Sequence, residues 1–211
     1  MSDADRSAGR PAFRDSAWLA RVVRWLLWAN ALGALIETAV RWRRDFDPYY
    51  VGDAEAAMIL AQLALFVGTG IAFLVWLYRA EINARALGAE DMMVSPGWAV
   101  GWFFVPLVQL VMPFLAVREL WKASATPRDW QLRPASPVIA LWWACWIGTV
   151  ISGNIAFSLS FMDDYDALLA ADFMAIVSAA FTIPSAILLA AIVGRIQEMQ
   201  SSFRHLADRF A

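Results

Sequence analysis

Seven polar side chains in this sequence have the type and the spacing to do more than meet water: Glu37, Arg79, Asn83, Gln109, Glu119, Asn154 and Asp172. Each lies within or at the edge of an apolar stretch, where a polar group is costly unless it is paired or faces a cavity. Arg79 and Asn83 are four residues apart and so share one helical face. Glu119 follows the next apolar stretch, and an ion pair between Arg79 and Glu119 is the expectation, setting register more than adding stability. The alternative is that each is an interfacial charge whose head snorkels to water. Glu37 and Asp172 fall near the ends of their stretches, alongside Asn154. Carboxylates at membrane depth mark ion or proton routes, whereas carboxylates at the edge are also satisfied by interfacial water.

Catalytic signatures are missing. His205, the only histidine, lies in the C-terminal tail, and no HExxH, nucleophile elbow or phosphate loop occurs. Asp163, Asp164 and Asp166 lack the spacing of a calcium loop. The single Cys145 sits inside an apolar stretch, which excludes an intramolecular disulfide and a cysteine metal cluster and reads as a small buried residue. No catalytic residue, cofactor or metal is therefore expected. A formal charge of −2, without a concentrated basic surface, argues against a nucleic-acid partner.

The elements that must position these residues are five apolar stretches in a chain that is 61% hydrophobic, which predicts an all-α, polytopic membrane protein without a sizeable aqueous domain. A polar tail occupies residues 1–16, a helical membrane domain residues 17–196, and an amphipathic tail residues 197–211, where apolar residues recur at helical spacing and suit a membrane surface. The first stretch, Ala17 to Val40, is interrupted by Arg21, Arg24, Asn30 and Glu37, so it either spans or lies along the surface. Arg21 and Arg24 also make it a retained anchor rather than a signal peptide. The second, Ala56 to Tyr78, is the clearest span, and its Gly68 and Gly70 suit close approach of a neighbouring helix. Tyr49 and Tyr50 before it suit an interface, as do most of the twelve tryptophans near stretch ends. Val138 to Met162 and Phe173 to Gly194, the fourth and fifth, are long enough to cross.

The third stretch, Gly97 to Val117, carries no charge over 21 residues yet contains Pro106 and Pro113. Ser95-Pro96 reads as an N-cap followed by proline at the first helical position. Gly97 and Gly101 form a GxxxG pair that permits tight packing. The two prolines remove backbone donors and break the segment, which irregular backbone at membrane depth tolerates only against protein or a water-filled cavity. Charge counting chooses among topologies. Five crossings divide the seventeen Lys and Arg almost evenly. Four crossings with a re-entrant third stretch put fourteen on one side and three, Arg41, Arg43 and Arg44, on the other, which by the preference of positive charge makes both termini cytoplasmic. A surface-lying first stretch gives a similar asymmetry, and five crossings with a Pro-kinked third helix remain the alternative.

The text from Trp76 to Ser124 carries a resemblance: WLYRA at 76–80, Asn83, Leu87-Gly88, SPGWAVGWFFVP at 95–106, Pro113 and RELWKAS at 118–124, extended by Trp130 and Trp142-Trp143. In this combination the chain resembles a bacterial integral-membrane family known only as a domain of unknown function, number four-three-two-eight. The resemblance implies a bacterial cytoplasmic (inner) membrane protein whose first stretch spans. It carries over no activity, and the family pattern often places asparagine at the position of Gln109.

Together these readings favour a non-enzymatic membrane module that packs with or regulates another membrane component. Its partners would be the lipid bilayer and a membrane protein or further copies of itself. The alternative is a small channel or transporter whose broken third segment lines a cavity, with Gln109, Asn154, Glu37 or Asp172 touching the solute.

Overall fold

The computed structural model describes residues 11–46 and 52–210, with side chains at all of these except 42–46, 52–56 and 205–210. Tyr49, Tyr50 and the tail before residue 11 lie outside the described residues. Within them there are six α-helices and no strand: α1 (Ala17–Phe46), α2 (Gly52–Ala86), α3 (Pro96–Gly101), α4 (Met112–Ala125), α5 (Pro137–Leu159) and α6 (Tyr165–Phe210). Four of them, α1, α2, α5 and α6, are long and apolar enough to cross a membrane. The first stretch is thus a continuous helix over its whole length. Its polar Asn30 is accommodated because the amide donates to the Leu26 carbonyl at 2.9 Å and to Thr69 Oγ1 at 2.6 Å.

The third stretch is not one helix. It consists of the six-residue α3, a 3-10 turn at Trp102–Phe104, a second at Val108–Leu110, and then α4. Ser95 caps α3 by accepting from the Trp98 amide, with Pro96 in the first turn, as its sequence predicts. The break lies at Pro106-Leu107. There the Val108 amide donates to the Pro106 carbonyl at 2.8 Å, and Leu107 takes the left-handed values φ 64°, ψ −45° of a tight γ-turn. Pro113 does not break a helix. It sits in the first turn of α4, where its missing N–H has no intrahelical partner to lose.

The end of α2 is set by Gly88, whose φ of 103° is open to glycine and strained for other residues. Its amide donates to the Arg85 carbonyl and the Ala89 amide to the Ala84 carbonyl, the paired bonds of a Schellman cap. The chain then turns through residues 89–95 into α3.

The chain divides into two compact units. Unit 1 comprises Met1–Arg24, Ile71–Ile139 and Ala191–Ala211. Its core is built from Trp76, Leu77, Leu120, Ile139, Ile192 and Ile196, all fully buried, and Phe73 meets Phe103 edge-on at 5.9 Å. The final helix runs without interruption past Pro184 and Arg195 to Phe210. Gln200 is buried in unit 1, so this position of the expected amphipathic tail is core. Unit 2 comprises Trp25–Gly70 and Ala140–Ala190. In it α5 and α6 approach at Gly148, where an added Cβ would lie 2.8 Å from the Phe181 ring, and Thr149 and Thr182 share a hydrogen bond of 3.3 Å. Within the chain, the glycines expected to permit close helix approach meet no neighbouring helix. Nothing lies within 4 Å of a Cβ built at Gly68, Gly70 or Gly97, and Gly101 meets only its own Trp98.

Candidate functional site

Unit 1 concentrates polar side chains where the end of α2, residues 89–95 and α4 come together. Glu119 on α4 is buried, and its two carboxylate oxygens accept from the Met93 amide at 2.5 Å and the Val94 amide at 3.2 Å. Arg85 donates Nη2 to the Val94 carbonyl at 2.6 Å and Nη1 to Glu81 Oε2 at 2.7 Å. The Glu81 side chain is wholly buried. Trp130 Nε1 donates to the Glu90 carbonyl at 2.9 Å, and Lys122 lies over the Trp130 ring. Three side chains therefore fix the backbone of 90–94, immediately before the Ser95 cap that starts the broken segment.

A second cluster joins the chain's two ends to this frame. Asn83 is fully buried and accepts from the Arg14 amide at 2.9 Å while donating to the Arg14 carbonyl at 2.8 Å, a closed pair of bonds that matches the donor and acceptor of its carboxamide. Ser16 Oγ donates to Gln197 at 2.9 Å. Gln200 Nε2 donates to the Ala80 carbonyl at 2.9 Å and Ser124 Oγ at 3.0 Å. Nearly all these polar groups act on backbone or on each other, and none forms a nucleophile–base pair. Glu81 Oε1, Gln200 Oε1 and Trp76 Nε1 are buried without a hydrogen-bond partner among the described residues.

The expected Arg79–Glu119 pair is absent. No ion pair joins the two among the described residues; Arg79 is half-buried on α2, and Glu119 is engaged by backbone amides instead. The reason is that residues 92–95 turn back over α4, presenting amides that no charge pattern reveals. Gln109 lies half-buried in the second 3-10 turn, and Pro106 is exposed beside the γ-turn. The broken segment itself turns large apolar groups outward: Trp98 is 54% exposed, Phe104 72% and Leu107 80%.

In unit 2 the structure brings Glu37 and Asp172 together through Arg41. Arg41 donates Nη2 to Glu37 Oε1 at 3.0 Å and Nη1 to Asp172 Oδ1 at 2.9 Å. Asn154 is exposed and donates to the Val150 carbonyl of its own helix at 2.7 Å. Sequence reasoning missed Glu81, Arg85, Gln200 and the bridging role of Arg41. The i,i+4 spacing of Glu81 and Arg85, and of Glu37 and Arg41, was the available signal.

The residues that carry the family resemblance build this frame. Trp76, Ala80, Asn83, Glu119, Leu120, Ala123, Ser124 and Trp130 are all buried in unit 1. A family model described as Domain of unknown function (DUF4328) matches residues 51–198. No curated protein and no solved structure matches the chain.

Proposed function

The chain belongs to the DUF4328 family, and from that premise we propose that it is a non-enzymatic multi-pass module of the bacterial cytoplasmic membrane that packs with or regulates another membrane component through its broken third segment. The observation that carries this reading is the use of the unit 1 polar groups. Glu119, Arg85 and Trp130 hold backbone in place ahead of a segment that displays Trp98, Phe104 and Leu107. A rigidly held apolar display suits recognition, because little ordering cost is left for binding.

The module crosses four times, and the third segment enters and leaves on the cytoplasmic side. Two observations support this. Residues near the N-terminus, the end of α2 and the last part of α6 contact one another in unit 1 through Asn83, Ser16 and Gln197. Of the fifteen Lys and Arg among the described residues, twelve belong to unit 1, while the three in unit 2 are Arg41, Arg43 and Arg44. Compartment-specific reporters fused at each terminus and inserted after Ala86 are expected to report cytoplasm at all three places. Termini on opposite sides would require a crossing by the third segment and sink this topology.

A photocrosslinking amino acid at Phe104, introduced in living cells, tests the function. The expected result is one discrete adduct with a membrane protein, weakened when Trp98 is changed to alanine. Adducts with lipid alone would refute the partner reading. Ion flux through proteoliposomes of the protein alone, lost in Gln109→Leu, would replace it with a small channel.

A further inference from the structure

We propose that unit 2 holds one phosphatidylethanolamine molecule, with an acyl chain seated in a cavity between α1 and α2. The cavity measures about 200 Å³ and is walled by Ile36 and Val40 of α1 and Met58, Ile59 and Leu65 of α2. That exceeds the ~150 Å³ apolar cavity that accepts a benzene ring, so it takes a segment of chain rather than a whole lipid. Both walls are helices long and apolar enough to cross a membrane, so acyl chains are the solvent in contact with them.

Among the apolar residues of this wall stands the carboxamide of Gln62. Its Oε1 packs against Gly33 of α1, in the space that a Cβ at residue 33 would take. Its carboxamide makes no hydrogen bond among the described residues. An amide donor left unpaired in a hydrocarbon setting is costly. The ester carbonyl of a glycerophospholipid supplies the missing acceptor and brings the chain that fills the apolar part.

Glu37 and Arg41 also line the cavity and select the headgroup. Arg41 uses Nε and Nη2 on Glu37 Oε1 and Nη1 on Asp172 Oδ1, three of its five N–H groups, leaving donors for a phosphate. The Glu37 side chain is 39% exposed and meets Arg41 through one oxygen, leaving the other for an ammonium. A cation beside an anion is the complement of a zwitterionic head.

Native mass spectrometry of the full-length protein, washed in detergent and titrated with dioleoylphosphatidylethanolamine, tests this directly. One bound lipid per chain is expected. Ile36→Trp, at a position 47% exposed and so tolerant of size, fills the cavity and is expected to lower occupancy on the order of tenfold. Gln62→Leu removes only the donor and is expected to weaken binding roughly three- to tenfold. Equal binding by all three proteins overturns the site, and equal competition by dioleoylphosphatidylglycerol overturns the headgroup. Lipid occupancy of the isolated protein is independent of the membrane partner, so either reading can fail alone.

Discussion

Replacing Arg85 with methionine is expected to destabilise the protein by about 3–5 kcal/mol, the usual consequence of stranding a buried charge. Glu81 has no exposed side-chain surface, and its Oε2 lies 2.7 Å from Arg85 Nη1. Its other oxygen has no hydrogen-bond partner among the described residues, so no second group takes over when the guanidinium is lost. Arg85 also donates to the Glu81 and Val94 carbonyls, at 2.9 Å and 2.6 Å. The double variant Glu81→Met, Arg85→Met is expected to be more stable than Arg85→Met alone, because it removes both the buried charge and its counter-ion. Denaturation in detergent micelles of Glu81→Met, Arg85→Met and the double variant measures this. Additive losses would mean that the carboxylate is not held by the arginine, and the frame described for residues 81–94 would be wrong.

The parts of this fold that depend on local chemistry were legible in the sequence. The Ser95-Pro96 cap predicts where α3 begins, and the observed Ser95 bond to Trp98 follows from it. Of the five apolar stretches, four are membrane-length helices, because a bilayer leaves little other choice for such composition, and the proline-bearing third is not. Long-range partners were not legible. Glu119 carries the same charge whether it meets Arg79 or two backbone amides, and only the path of residues 92–95 decides between them. Gly68 and Gly70 look like contact points, yet the close approaches fall at Gly33 and Gly148, since small size permits contact without directing it. Glu37 and Asp172 were picked out as carboxylates near the edge, but Arg41, counted only as one of a positive cluster, is what joins them. The i,i+4 pair Glu81–Arg85 reads as a solvated helix face, and burial changes its meaning entirely.

Glu119→Ala is expected to cost about 2–4 kcal/mol, because two backbone amides lose a charged acceptor and part of that site is closed to water. Glu119→Gln keeps the shape and one acceptor oxygen while turning an NH₂ toward the other amide, so roughly half that loss is expected. The decisive measurement is local. Hydrogen exchange at Met93 and Val94 is expected to accelerate in both variants, with α5 amides unchanged, since opening of residues 89–95 leaves the rest of the fold in place. Arg79→Ala is expected to leave those two amides as protected as in the parent protein, because Arg79 is not the partner of Glu119. Acceleration by Arg79→Ala comparable to that of Glu119→Gln would restore the ion pair that charge spacing suggests. The functional consequence follows from position: Val94 directly precedes the Ser95 cap, so loosening it frees the start of α3 and the exposed Trp98 one turn later. Glu119→Gln is thus expected to weaken crosslinking from Phe104 without removing the protein from the membrane, which separates presentation of the third segment from insertion of the four long helices.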